Sequence, residues 1–178
     1  VITSLIEKVN NLIIVGAMAN NFFIYKNFKV GKSLIEENTK EIIKKIYEKA
    51  NKNKCKILIP EDCMVGSSFD SYGINKDLNA IENNDIILDI GPKTIISIKN
   101  IIDHSNTILW NGPAGYFENE NFMIGTMSIA ENISKNTVKK SLISILGGGD
   151  TLAAINKSKN KLSFTHLSTA GGAFLEYL

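Results

Sequence analysis

Six short apolar runs punctuate the chain, and most are separated by stretches long and amphipathic enough to form helices. The runs are Leu12 to Val15, Ile57-Leu58-Ile59, Ile86-Ile87-Leu88, Thr107-Ile108-Leu109-Trp110, Leu142 to Leu146 and, more weakly, Phe164 to Leu167. None alternates polar with apolar, which is the pattern of strands buried on both faces of a parallel sheet. Between them, Val1, Leu5, Ile6 and Val9 repeat at helical spacing. Thr39 to Ala50 sets Ile42, Ile43, Ile46 and Tyr47 on one face against lysines and glutamates on the other. The arrangement predicts an α/β fold: a doubly wound, six-stranded, mostly parallel sheet with helices on both faces, in three layers. Glu61 to Asp85 is the least regular stretch and has room for a minor hairpin. No Pro- or Ser-rich linker interrupts the 178 residues, so residues 1–178 read as one domain.

Five of the six runs lead into a turn bearing glycine: Gly16-Ala17-Met18-Ala19, Gly91-Pro92-Lys93-Thr94, Asn111-Gly112-Pro113-Ala114-Gly115, Gly147-Gly148-Gly149-Asp150-Thr151 and Thr169-Ala170-Gly171-Gly172. Strand C-termini of a parallel sheet share one edge, and ligands bind just outside it. Glycine lets the backbone approach a ligand closely, and a helix opening behind it aims free N–H groups at an anion. Any one of these turns can equally be a tight strand-to-helix connection. The set on one edge suggests a phosphorylated ligand. In the triple-glycine turn, a carboxylate beside phosphate would repel it unless a cation lay between. Asp150 therefore suggests Mg²⁺, while capping of the following helix by Asp150 or Thr151 explains the same residues. Glu118, after Tyr116 and Phe117, is placed to accept hydrogen bonds from a ribose diol or to stand as a solvated surface charge.

Other chemistries find less support. Val30-Gly31-Lys32-Ser33 resembles the end of a P-loop, but Lys26 stands where that motif needs glycine. No Gly-x-Gly-x-x-Gly follows any predicted strand, which weighs against a nicotinamide-binding module. His104 and His166 are the only histidines, and no Gly-x-Ser-x-Gly elbow accompanies them. His104 reads as solvent-exposed near a helix end and His166 as structural. Lys93 can face phosphate or solvent. Cys55 and Cys63 match no metal or redox spacing and read as reduced thiols of a cytoplasmic protein. The net charge of +2 argues against nucleic-acid and membrane partners. All 20 basic residues are lysines. The planar, bidentate clamp on phosphate or carboxylate that arginine supplies must then come from elsewhere.

Taken in order, several stretches resemble the C-terminal, nucleotide-binding domain of the phosphoglycerate kinase family. They are Gly16-Ala17-Met18-Ala19-Asn20, Val30-Gly31-Lys32-Ser33-Leu34, Leu88 to Thr94, Trp110-Asn111-Gly112-Pro113, Phe117-Glu118, Gly147 to Thr151 and Ser168 to Ala173. The resemblance implies a two-domain cytoplasmic glycolytic enzyme, usually monomeric. It moves phosphate reversibly between 1,3-bisphosphoglycerate and ADP, with Mg²⁺, giving ATP and 3-phosphoglycerate. Carried over by position, Gly16 and Ala17 flank the adenine, and Asn111, Pro113 and Glu118 hold the ribose side. Gly148, Gly149, Asp150 and Thr151 bind phosphates and metal, Asp150 being the metal residue. Gly171 and Gly172 open a helix facing the transferring phosphoryl group. Val15 and Ala170 depart from glycines common in the family. The first residue, Val1, already sits in a helical pattern, and the family's Gly-Gly-x-Lys strand and arginine-bearing substrate half are expected upstream of it. The resemblance thus implies a piece that binds nucleotide without turning over.

Overall fold

The computed structural model describes residues 2–170. The chain enters through a single helical turn, α1 (Ile2–Leu5), shorter than the apolar spacing suggests, and β1 (Asn11–Ile13) follows. Helices α2 (Ala17–Tyr25) and α3 (Lys40–Lys52) come next, then β2 (Lys56–Leu58). The irregular stretch is indeed a hairpin, β3 (Asp62–Gly66) and β4 (Ile74–Asp77), paired antiparallel. The remaining elements are β5 (Ile86–Ile90), α4 (Pro92–Asp103), β6 (Thr107–Asn111), α5 (Ile124–Lys140), β7 (Ile143–Gly147), α6 (Gly149–Ile155) and β8 (His166–Ser168).

All six apolar runs are strands, and α/β architecture with parallel pairing is observed. The single six-stranded ladder is not. Among the described residues the hydrogen bonds form three sheets: β1–β2 parallel, β4–β3–β5 antiparallel, and β6–β7–β8 parallel. The reason lies in the hairpin. β3 carries its own hydrogen-bonding edge and takes β5 as an antiparallel partner, with Cys63 opposite Ile90 and a register irregularity at Met64/Val65.

Two apolar clusters fill the interior. One gathers Ile14, Phe22, Phe23, Ile43, Ile46 and Val65 beneath α2 and α3. The other gathers Ile90, Ile98, Trp110, Ile133 and Leu146 among α4, α5 and the β6–β7 strands. The two-residue period of a strand divides β1 and β2 between them. Leu12 and Ile57 pack against the first cluster, and Ile13 and Leu58 against the second. These strands are therefore covered on both faces, as their unbroken apolar runs require. On α3, Ile43, Ile46 and Tyr47 face inward, while Ile42 is exposed.

One long-range connection joins the hairpin to the second cluster. The carboxylate of Asp62, fully buried in β3, accepts from the amides of Lys93 (3.1 Å) and Thr94 (2.9 Å) and from the Thr94 hydroxyl (2.8 Å). A helix N-terminus leaves its first amides unpaired and carries partial positive charge; at α4 the protein's own aspartate supplies the anion. Gly91 is required beneath it, because a Cβ there would collide with the Asp62 carboxyl. Replacing Asp62 with alanine strands the Lys93 and Thr94 amides, while the Thr94 hydroxyl keeps the Asp62 carbonyl at 3.1 Å. The expected loss is ~2–4 kcal/mol of stability in urea denaturation, whereas Lys93→Ala, removing only an exposed pair with Asp77, should leave the midpoint nearly unchanged.

Candidate active site

Three strand-to-helix turns meet along one rim. At the end of β1, Gly16 takes φ +67°, and a Cβ there would lie 3.0 Å from the Pro113 carbonyl. At the end of β7, Gly148 takes φ +96°, with its Cβ position 2.9 Å from Asn111 Oδ1. Both positions need glycine, for the left-handed backbone and for the close approach of the β6 loop. That loop is tied to the β7 turn by the Gly112 amide, which donates to Thr151 Oγ1 at 2.7 Å. The Gly148 amide in turn donates to the Ser168 carbonyl at the end of β8 (3.2 Å). The β1, β6, β7 and β8 ends thus form one continuous line of contacts.

Beneath the rim lies a cavity of about 410 Å³, lined by Gly16, Ala17, Pro113, Glu118 and Asp150 among the residues singled out from sequence. The volume lies within the range of about 300–1,000 Å³ usual for small-molecule sites. Its walls are mainly apolar: Phe23, Leu34, Leu88 and Tyr116 contribute, with Phe69 reaching in from the β3–β4 loop. The Phe69 and Tyr116 rings meet edge-to-face at 5.0 Å. Asn111, Gly148, Gly149 and Thr151 are not among the lining residues; Asn111 and Gly148 stand side by side on the rim. Gly149 opens α6, and among the described residues nothing fills the space where its side chain would be. Thr151 is fully buried, its hydroxyl engaged by the loop as an acceptor, so its geometry is that of a positioning group. Gly171 and Gly172 lie outside the described residues.

The Gly91 turn does not share this opening, because Asp62 already occupies its amides. Lys93 reaches Asp77 instead, at 2.8 Å. The Val30 to Ser33 segment is a structural seam, not a phosphate loop: Gly31 bridges Ile86, the Lys32 amide donates to the Asp85 carbonyl, and the Ile87 amide donates to Ser33 Oγ. His104 caps the end of α4 in solvent, and His166 on β8 is exposed too. Both cysteines are free and buried, and burial pushes the Cys63 thiol up to about 12, so it is no nucleophile near neutral pH. Among the described residues no cluster of three or more His, Cys, Asp or Glu side chains forms a metal cage, and no helix is long and apolar enough to cross a membrane.

The sequence reading passed over Asp89, although a carboxylate inside the apolar run Ile86 to Ile90 is a signal. It lines the cavity, 2% exposed, and accepts from the amides of Gly125 and Ile90, each at 2.8 Å. Burial raises its pKa from 3.8 to about 7, against the opposing pull of the Gly125 and Ile90 amides. Gly115 packs so closely that a Cβ there would strike the carboxyl. Above pH 4 the unfolded chain ionises freely at this position while the folded protein holds the proton. Stability is therefore lost as pH rises through this window, by on the order of 2–4 kcal/mol at pH 8. Thermal melts between pH 4 and 8 should show the decline. Asp89→Asn should flatten it while lowering stability throughout, since an amide cannot accept both N–H groups.

Comparison with known proteins bears on this geometry. The family model for phosphoglycerate kinase matches residues 1–178. The phosphoglycerate kinase of Wolbachia pipientis wMel is 45% identical over 180 residues, a match covering all of this chain and 45% of the relative. That of Bartonella tribocorum is 42% identical with the same coverage. Among solved structures, phosphoglycerate kinase from Coxiella burnetii superposes with a TM-score of 0.91 at 37% identity, covering 99% of this chain and 45% of that one. The enzyme from Pyrococcus horikoshii gives 0.77 at 28% identity, covering 99% and 44%. The chain therefore spans somewhat under half the length of these relatives, and over that whole span it belongs to the phosphoglycerate kinase family.

Proposed function

We infer that this chain carries the nucleotide site of a phosphoglycerate kinase, binding ADP or ATP with Mg²⁺. In the whole protein this site serves reversible phosphoryl transfer from 1,3-bisphosphoglycerate to ADP, giving ATP and 3-phosphoglycerate. The observation that carries the reading is the single cavity that collects Gly16, Ala17, Pro113, Glu118 and Asp150 from three segments far apart in sequence. Its apolar wall suits a nucleobase. Exposed Glu118 at its edge suits the ribose diol. Exposed Gly149 and Asp150, in the first turn of α6, suit the phosphates and the ion between them.

The residues fit Mg²⁺ in one specific way. Asp150 is a lone carboxylate, and Mg²⁺ is commonly held by one or two carboxylates with phosphate oxygens and waters completing its shell. Bound there, the ion would offset phosphate charge and polarise the phosphoryl group. The chain's own groups orient the nucleotide. The α6 amides face its phosphates, and the β6 loop, held by Thr151, faces its sugar. In the family the 3-phosphoglycerate is taken up by the half outside this span, and Gly171 and Gly172 fall to the transferring phosphoryl group. Such transfer depends on positioning and on donors aimed at developing charge.

Calorimetric titration with MgADP tests the reading. Saturable binding with NMR shifts at Gly148 to Thr151 is expected, and a folded sample showing neither overturns it. Asp150→Asn should weaken MgADP by roughly tenfold while leaving metal-free ADP unchanged or slightly tighter, because it removes a charge that repels bare phosphate. Gly149→Ala meets no clash among the described residues, so its melting temperature should hold while phosphate-dependent affinity falls.

A further inference from the structure

Helix α6 lines the cavity through Asp150, and the chain just past its other end touches the loop that carries Phe117 and Glu118. Its first turn carries Gly149 and Asp150. Two residues beyond its last turn, the Lys157 ammonium donates to the Phe117 carbonyl at 3.0 Å and lies 5.3 Å from the centre of the Phe117 ring. Phe117 is buried, and its carbonyl belongs to the peptide that leads directly into Glu118. A peptide unit is planar, so holding that oxygen restrains the Phe117–Glu118 plane and with it the position of the Glu118 Cα, from which the side chain departs. The rest of the loop is anchored by other groups: Tyr116 N–H to the Leu88 carbonyl (2.7 Å), Ala114 N–H to Thr126 Oγ1 (3.0 Å) and Asn119 Nδ2 to the Phe69 carbonyl (2.8 Å). Lys157 alone among these holds the peptide immediately preceding Glu118, and its side chain is otherwise open to solvent.

We propose that Lys157 is a positioning residue, which orients Glu118 toward the ribose diol of the bound nucleotide by clasping the Phe117 carbonyl. This rests on the nucleotide reading above. A mobile carboxylate still meets the sugar, but it loses more entropy on forming the same hydrogen bonds. Removing the clasp therefore weakens recognition of the hydroxyls and spares contacts to base and phosphates. A lysine that merely tacked the surface together would influence every nucleotide alike.

The test compares MgADP with its 2′,3′-dideoxy analogue by calorimetry, in the unaltered protein and in Lys157→Met, which keeps the aliphatic stem and removes the donor. The unaltered protein is expected to favour ADP by roughly tenfold. In Lys157→Met the preference should fall to within about twofold, through weaker ADP binding with the analogue unchanged. Lys157→Arg, which retains a donor, should recover most of the difference. Equal weakening of both nucleotides, or an undiminished preference in Lys157→Met, overturns the role of Lys157 and leaves the nucleotide reading standing. An unaltered protein that binds neither nucleotide overturns that reading and the proposal together. One that binds both equally removes the diol contact and the proposal with it.

Discussion

The hydrogen bond from the Gly112 amide to Thr151 Oγ1 joins two segments thirty-nine residues apart, and the shape of the rim depends on it. β6 and β7 are neighbours in register, with Asn111 opposite Gly147, so their exits are bound to be adjacent. Adjacency alone does not fix the relation of two flexible turns. The hydroxyl converts it into a defined one by accepting the amide from within a fully buried environment, where water cannot compete and an unpaired donor is costly. With the turns locked, Gly148 faces Asn111 and Gly16 faces Pro113, at separations a Cβ would crowd. The glycine requirement at both positions follows first from their positive φ, and the closeness adds to it.

The strands and the glycine turns were readable from sequence because both are local. A doubly buried strand needs four or five consecutive apolar residues, and a strand-to-helix turn needs a residue without a Cβ. The separation into three sheets was not readable. It depends on β3 pairing with β5 across the Gly66 to Ile86 interval, and a hairpin of mixed composition such as Asp62–Gly66 and Ile74–Asp77 carries little period-two signal. The same limit governs the site. Glu118 and Asp150 stand beside glycine turns and could be picked out by their company. Phe69 reaches the cavity from a loop nearly fifty residues before Tyr116, Thr126 meets Ala114 from the next helix, and Lys157 reaches back forty residues. Nothing in their immediate neighbours marks these residues.

The Gly91 turn shows why local resemblance overstates function. It has the same chemistry as the Gly148 turn: a strand ends, glycine follows, and a helix opens with unpaired amides. The difference lies thirty-one residues upstream, where β3 delivers the Asp62 carboxylate onto the α4 amides. An anion site filled by the chain's own aspartate is a structural joint. At α6, among the described residues, no side chain caps the helix and nothing fills the space ahead of Gly149. Two turns that look alike in one dimension therefore divide into scaffold and candidate site once the third dimension decides which amides are already satisfied.

The acids divide along the same line. Asp62 and Asp89 are both buried and both take two backbone amides, yet Asp62 also receives a hydroxyl and sits at a helix N-terminus, whereas Asp89 has two amides and little else. Desolvation wins at Asp89 and lifts its pKa to about 7, so near neutral pH it is divided between charged and neutral forms at the floor of the cavity. Asp150 and Glu118 are exposed. An exposed carboxylate can exchange water for a new partner at little cost, while a buried one has already committed its oxygens to the fold. Availability, not proximity to the cavity, separates the two groups: Asp89 lies nearer the interior than either exposed acid, and its oxygens are already held by the amides of Gly125 and Ile90.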